Sequence, residues 1–149
     1  MSVPTLSLKA FTQGAPAERE AFSDALLQGL QDYGFIILAD HGVPPDLLEA
    51  AYAQSAELFA LPEMTKRQYA AGLRGYTPFG VEHAKDSKVA DLKEFWQIGR
   101  EPAPGLPPAD FPPNVWPAEA PVFEATFSAL FAALDQAGRT LLRALAPRL

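Results

Sequence analysis

The sequence predicts an α+β fold in which helices pack on a few short strands. Apolar residues recur every three or four positions from Phe22 to Tyr33 and again from Phe123 to Leu145, which is the spacing of amphipathic helices. An uninterrupted apolar run at 35–39 is typical of a buried strand. Hydrophobic residues make up 48% and charged residues 20% of the 149 residues, so a packed core can form. We expect one domain over residues 1–149.

The charge and the residue inventory exclude several kinds of site. The formal net charge is -6, and an acidic surface repels phosphate groups and anionic lipids, so we expect no nucleic-acid and no membrane partner. The chain has no cysteine, which excludes disulfides, thiolate zinc sites, iron–sulfur clusters and cysteine nucleophiles. No apolar run approaches the roughly 20 residues that span a bilayer. We expect a cytoplasmic protein.

The first third of the chain predicts a strand, a helix and a second strand. Residues 3–11 alternate loosely and predict a short strand. Pro16 suits the first position of a helix, and Gly34 is placed to end it in the left-handed conformation. The apolar run at 35–39 then predicts a strand that is buried on both faces, followed by a turn at 40–44.

Prolines mark the boundaries of the middle of the chain. Pro45 opens a helix that Pro62 ends, and a short helix follows at 63–69. Residues 76–79 and 92–98 predict extended segments, with a polar loop at 82–91 between them. Eight prolines between Glu101 and Pro121 predict an extended strap that lies on a surface of the protein.

The last segment predicts a long amphipathic helix over 117–146. At 1.5 Å per residue this helix would be roughly 40 Å long. Its apolar face, rich in Phe and Leu, is longer than the two short preceding helices can cover, so we expect that it needs a further packing partner.

Several ordered motifs resemble the amino-terminal region of the isopenicillin N synthase-like family of non-haem iron oxygenases. Each motif is weak alone, and their order across nearly the whole chain makes the resemblance specific. The matching pieces are Tyr33-Gly34-Phe35 through His41-Gly42-Val43, Leu58-Phe59-Ala60-Leu61-Pro62 with Lys66, Arg74-Gly75-Tyr76-Thr77-Pro78, Asp91-Leu92-Lys93-Glu94-Phe95 through Ile98-Gly99, and Asn114-Val115-Trp116-Pro117.

The resemblance implies one part of a two-part enzyme. In the family, this amino-terminal region flanks a double-stranded β-helix (jelly-roll) core, which carries a His-x-Asp pair, a distal His for iron and an Arg-x-Ser pair for 2-oxoglutarate. Fe(II) and 2-oxoglutarate are therefore the cofactors implied for a complete enzyme, and a small molecule is the implied substrate. We expect the jelly-roll to be missing from this chain.

The residues of the chain do not supply that catalytic set. A facial triad needs two histidines and a carboxylate, but neither His41 nor His83 begins a His-x-Asp pair. We expect His41 to stabilise a turn and His83 to lie in a solvated loop. No arginine is followed two positions later by serine. We therefore expect no catalytic residue, metal ligand or cofactor in this chain, and whether it is itself an enzyme stays open.

One stretch resembles the substrate side of the family's active site. It combines a cation with aromatic side chains near a glycine-containing turn. The alternative is structural: Arg74 pairs with a carboxylate, Tyr76 packs in the core, and the charges at 91, 93 and 94 form solvated ion pairs. The candidate substrate-binding residues are Arg74, Tyr76, Phe79, Lys93 and Phe95.

Three interpretations of the whole chain stay open. In the favoured one, the chain is a truncated portion of an oxygenase and is inactive alone. In the second, it pairs with a separately encoded jelly-roll half as a split enzyme. In the third, it is a stand-alone, non-catalytic module that binds a small molecule or a protein.

Overall fold

The computed structural model describes residues 2–83, 85, 89–101 and 112–149. These residues form helices and a few short strands, as predicted, and the strands among them form no closed barrel. No helix in this part of the chain is long and apolar enough to cross a membrane. In chain order the elements are β1 (Thr5–Ser7), α1 (Leu8–Thr12), α2 (Pro16–Tyr33), β2 (Ile37–Ala39), α3 (Pro45–Phe59), α4 (Glu63–Arg67), β3 (Gly75–Thr77), β4 (Phe95–Gln97), α5 (Phe123–Leu145) and a 3-10 turn (Ala146–Arg148).

The described residues gather into two compact units. The first unit combines the residues up to Pro45 with Ala132–Leu149, and the second comprises the described part of Asp46–Phe131. The sequence shows no composition shift at these points. The assignment of residues 1–149 to one domain stays a prediction.

The first unit has a two-stranded parallel sheet and a helical core. Strands β1 and β2 pair in the register Thr5↔Ile37, Leu6↔Leu38 and Ser7↔Ala39. The Ser7 hydroxyl donates to Asp40 Oδ2 at 2.6 Å, and Lys9 Nζ lies 3.4 Å from Oδ1, so the carboxylate ties the end of β2 to β1 and α1. The buried core residues are Leu8, Phe22, Leu26, Ala137 and Ala144.

The predicted strand over 3–11 is wrong in its second half. Only Thr5–Ser7 is extended, and the chain turns into α1 at Leu8. The Leu8 side chain is buried in the core while Lys9 next to it is exposed. Packing of α1 in the core therefore outweighs the weak apolar–polar alternation that predicted a strand, because the preference of a residue for a strand depends strongly on its surroundings.

Helix α2 begins and ends where the sequence predicts. Pro16 is its first residue, and the Glu18 carboxylate accepts a hydrogen bond of 2.7 Å from the Ala15 N–H just before it. Gly34 ends the helix at φ 78°, with its N–H donating to the Leu30 carbonyl. The glycine is required here because a Cβ disfavours this left-handed conformation.

The predicted burial of β2 on both faces is wrong for the described residues. Ile36 and Leu38 pack against the core of the first unit. Phe35 and Ile37 point the other way and are 58% and 52% exposed. The reason is that the described helices of this unit cover one face of the two-stranded sheet, whereas the apolar run has side chains on both faces.

The second unit has an antiparallel strand pair and an aromatic core. Strands β3 and β4 pair in the register Gly75↔Gln97, Tyr76↔Trp96 and Thr77↔Phe95. The two predicted extended segments are thus confirmed, although each strand is shorter than predicted. Part of the predicted loop at 82–91 lies outside the described residues. The core and its partly buried neighbours comprise Leu58, Ala120, Phe123, Leu61, Trp96, Ile98, Trp116 and Phe127.

The predicted start of the last helix at 117 is wrong. The residues before Phe123 form turns, with the Ala120 N–H donating to the Pro117 carbonyl, and α5 then runs for 23 residues, about 34 Å. Pro121 explains the difference: it has no N–H to donate to the carbonyl of residue 117, and its ring would clash with that carbonyl in a helix. Leu134 and Leu142 on α5 are exposed.

The predicted proline-rich strap lies largely outside the described residues. Residues 112–116 have neither helix nor strand structure. Asn114 holds this stretch to the end of β4, because its side-chain amide accepts a hydrogen bond from the Gly99 N–H at 2.8 Å and donates to the Gly99 carbonyl at 2.9 Å.

Candidate functional site

The strand pair β3–β4 and the residues next to it carry all five predicted substrate-binding residues. Tyr76 lies on β3 and Phe95 on β4, opposite Thr77. Arg74 precedes β3, Phe79 follows it, and Lys93 lies two residues before β4. Helix α4 and the 112–116 stretch contact this pair, so these elements fix the geometry of the candidate site.

A mostly buried ion pair anchors β4 to α4. Lys66 Nζ lies 2.7 Å from Glu94 Oε2 and donates to the Phe59 carbonyl at 3.0 Å. The Tyr76 hydroxyl donates to the same Glu94 oxygen at 2.5 Å. The Lys66 and Glu94 side chains are 6% and 17% exposed. We call Lys66, Glu94 and Tyr76 the buried triad.

The environment of the buried triad shifts two pKa values in opposite directions. Burial, followed by the hydrogen bond to the Glu94 carboxylate, raises the pKa of Tyr76 to about 12. Burial also acts to raise the pKa of Glu94, but the hydrogen bonds from Lys66 and Tyr76 and the charge of Lys66 outweigh it and lower that pKa below its usual value. Glu94 is thus an anion and Tyr76 a neutral phenol at pH 7.

Tyr76 is packed in the interior, as the structural alternative to substrate binding predicts. Its side chain is 2% exposed, its ring lies 6.4 Å from that of Trp96, and its hydroxyl is already bonded to Glu94. A substrate would have to displace this packing to reach it. The part of Tyr76 in substrate binding stays a prediction.

Arg74 is a partly buried cation without a carboxylate partner in the part of the chain that the structure describes. Its Nη1 donates to the Leu73 carbonyl at 2.9 Å, and its Nε is shielded from solvent with no hydrogen-bond partner among the described residues. The guanidinium group lies against Gly99: a Cβ there would overlap Nη2 and Cζ and lie 2.9 Å from Nε. The alternative in which Arg74 pairs with a carboxylate has no support among these residues.

Of the three other predicted residues, Phe79 and Lys93 are exposed and Phe95 is half-buried. Phe79 is 52% exposed. Lys93 Nζ lies 3.0 Å from Glu82 and 3.1 Å from Asp91, which hold the pKa of this ammonium group above its usual value. The same ammonium group lies 5.4 Å from the centre of the Phe95 ring. The structure therefore confirms that Lys93 forms a solvated ion pair.

Three contributors to this region were missed from the sequence. The sequence predicts that the charges at 91, 93 and 94 form solvated ion pairs, whereas Glu94 turns inward to Lys66. Strand alternation was the available signal, because neighbouring residues on a strand point to opposite faces. Gly99 and Asn114 both lie in the quoted motifs, but their contact joins residues 15 positions apart and leaves no local pattern.

His41 lies in the turn after β2, and His83 lies between β3 and β4. His41 Nδ1 accepts a hydrogen bond of 3.1 Å from the Val43 N–H, which agrees with the expected role in stabilising a turn. No group of three or more histidine, aspartate or glutamate residues in the described ranges could hold a metal ion.

Two open clefts of about 230 Å³, one in each unit, include none of the five predicted residues.

Residues 3–119 match the family model described as non-haem dioxygenase in morphine synthesis N-terminal. The chain belongs to the 2-oxoglutarate/Fe(II)-dependent oxygenase family. Among its relatives, the 2-oxoglutarate-dependent dioxygenase eupC of Phoma sp is 28% identical and matches 79% of this chain but 41% of its own length. The dioxygenase ucsF of Acremonium sp is also 28% identical and matches 91% of this chain and 44% of its own length.

Solved structures of the same oxygenase family share the fold. A 2OG-Fe(II) oxygenase family protein from Caulobacter crescentus is 38% identical over 98% of this chain, with a TM-score of 0.83 and 48% of its own length covered. A full-length Neurospora crassa protein, solved in complex with alpha-KG, is 30% identical over 97% of this chain, with a TM-score of 0.80 and 46% of its own length covered. The chain thus spans about half the length of the oxygenases that it matches.

Proposed function

We propose that this chain is the N-terminal, substrate-side scaffold of a 2-oxoglutarate/Fe(II)-dependent oxygenase that acts on a small molecule. The observation that carries the proposal is the match to the family's N-terminal model over residues 3–119. The relatives are 2-oxoglutarate-dependent dioxygenases, and the chain corresponds to about half of each. When bound, Fe(II) and 2-oxoglutarate supply the oxygen-activating chemistry of the family.

In this proposal the chain positions the substrate and does not carry out the oxidation. The 149 residues include no His-x-Asp and no Arg-x-Ser pair. The buried triad fixes β3 against β4, and this strand pair holds Arg74 and Phe95 in one region. A rigid supporting structure of this kind helps orient a substrate, because orientation contributes to catalysis only when the supporting groups do not move.

A chimera with a relative tests the proposal. Residues 1–149 are joined to the unmatched half of the Caulobacter crescentus protein, and succinate formation is measured with Fe(II) and 2-oxoglutarate. We expect succinate from the chimera and none above a no-protein control from residues 1–149 alone. The control is the same half of the Caulobacter crescentus protein without residues 1–149, and we expect it to be less active than the chimera.

The outcomes separate the open interpretations. Succinate from residues 1–149 alone would show that catalysis needs no groups from outside them. A folded chimera that is no more active than the unmatched half would contradict a scaffold role and favour a stand-alone binding module. Activity from the two halves mixed as separate polypeptides would favour a split enzyme.

A further inference from the structure

Among the residues that the structure describes, the guanidinium group of Arg74 has no carboxylate partner, unlike several other cations of the chain. Lys66, Arg139 and Arg148 each contact a carboxylate, and the chain as a whole carries an excess of acidic residues, with a net charge of -6. Acidic partners are therefore abundant, yet Arg74 contacts none within the described ranges. A partly buried charge without a partner is unfavourable unless a ligand supplies one.

The surroundings of Arg74 hold this charge in place without neutralising it. Nη1 donates to the Leu73 carbonyl, and the Nε donor is shielded from solvent with no acceptor in the described part of the chain. A buried donor without a partner is rare in native proteins, so its presence here calls for a structural or functional explanation. The side chain as a whole is only partly buried, so the group is not sealed inside the core.

Gly99 is the surface on which the guanidinium group rests. All three atoms that a Cβ at this position would meet first belong to Arg74. Gly99 cannot easily move away, because both its N–H and its carbonyl are bonded to the Asn114 side chain. Asn114 Nδ2 also donates to Glu101 Oε1 at 2.6 Å, so the amide itself has a fixed orientation.

We propose that Arg74 is a carboxylate-recognition site that Gly99, clamped by Asn114, holds in position. The class of ligand follows from the chemistry of guanidinium, whose planar donors match a carboxylate. This inference rests on the proposed function in one respect: the carboxylate is assigned to the substrate of the oxygenase. Gly99 and Asn114 are positioning residues that act through Arg74.

Benzoate binding to residues 1–149 tests the anion site. The Arg74 Nε–Hε signal, identified by its loss in Arg74→Gln, is followed by NMR during titration with sodium benzoate at constant ionic strength. We expect a saturable shift with benzoate and none with benzamide, its neutral isostere. Because the variants lack this signal, isothermal titration calorimetry compares their benzoate affinity with that of the wild-type chain. We expect binding to weaken at least about tenfold in Arg74→Gln and less in Arg74→Lys, which keeps the charge but not the planar donors.

A double-mutant cycle tests the position of Gly99. Because the Cβ would meet Arg74 atoms first, we expect Gly99→Ala to lower the unfolding midpoint strongly in the wild-type chain and much less in an Arg74→Ala background. Gly138→Ala is the matched control, since a Cβ at Gly138 has no neighbour within 4 Å, and we expect it to leave benzoate binding unchanged. An equal loss in both backgrounds, or failure of both Gly99→Ala variants to fold, would overturn the positioning role.

The readouts distinguish failure of this inference from failure of the proposed function. Equal shifts with benzoate and benzamide would overturn the anion site, whatever the chimera does. Benzoate binding at Arg74 combined with an inactive chimera would overturn the oxygenase scaffold and leave the anion site standing. An active chimera in which Arg74→Gln leaves KM and kcat for every carboxylate-bearing substrate unchanged would overturn the assignment to the substrate.

Discussion

Lys66 is the residue on which the second unit's polar core depends. Its ammonium group has a carboxylate and a carbonyl as hydrogen-bond acceptors and lies 5.8 Å and 5.5 Å from the centres of the Phe59 and Tyr76 rings. Removing the cation would leave the Glu94 charge mostly buried without a partner. The loss of one member of a buried pair is far more damaging than the loss of an exposed pair.

We therefore expect Lys66→Met to lower the free energy of unfolding by about 3 kcal/mol, as for other broken buried pairs. Lys93→Met is the matched control, because it removes the same side chain from an exposed ion pair, and we expect it to cost less than about 1 kcal/mol. Urea unfolding followed by tryptophan fluorescence measures both. Similar losses in the two variants would show that the pair with Glu94 is not the source of the effect.

The lowered pKa of Glu94 predicts an acid-dependent part of the stability. A carboxyl group whose pKa is lower in the folded than in the unfolded chain stabilises the fold above its unfolded pKa, near 4.5, and this contribution is lost as the pH falls through the folded value. We expect the difference in unfolding free energy between wild type and Glu94→Gln to be constant near neutral pH and to shrink below pH 4.5. A difference that does not change with pH would contradict this linkage.

At the scale of elements, helix boundaries show which local signals the sequence carries. Gly34 was predictable because a left-handed residue at a helix end has a strong local preference for glycine. Pro121 is a local signal that the helix starts after residue 117. The predicted start at 117 did not use this signal. The change from β1 to α1 at Leu8 depends on core contacts, which no local pattern reports.

The helix ends also give a paired test of glycine conformation. We expect Gly34→Ala to lower the free energy of unfolding by about 1 kcal/mol, because its φ of 78° disfavours a Cβ even though no atom lies within 4 Å of that position. We expect Gly138→Ala, within α5, to raise it by about 0.5–1 kcal/mol, because alanine favours the helical conformation. Thermal or urea unfolding measures both, and changes of the same sign would contradict the assigned conformations.

The candidate site shows the same division between local and long-range information. Arg74, Tyr76 and Phe95, which the sequence motifs contain, lie on or next to one strand pair. The motifs do not show that the Tyr76 hydroxyl donates to Glu94 or that Arg74 lies against Gly99. These contacts join residues 18 and 25 positions apart (76 to 94 and 74 to 99), and only the folded chain brings them together.

At the scale of the whole molecule, the structure leaves apolar side chains exposed on elements that are otherwise well packed. Phe35 and Ile37 on the sheet of the first unit, and Leu134 on α5, are each more than half exposed. Such positions in a chain that spans about half the length of its relatives favour contact with further polypeptide under the proposed function. The sequence-based expectation that α5 needs a further partner stays a prediction.

Substitution of Leu134 tests this expectation directly. In residues 1–149 alone, we expect Leu134→Glu to change the free energy of unfolding by no more than about 1 kcal/mol, because the side chain is already 53% exposed. In the chimera with the Caulobacter crescentus half, we expect the same substitution to reduce succinate formation strongly, since it would bury an unpaired charge at the contact. Gln136→Glu adds the same charge at an exposed position two residues away and should leave the activity unchanged. Full activity of the Leu134→Glu chimera would show that this face of α5 does not contact the second half.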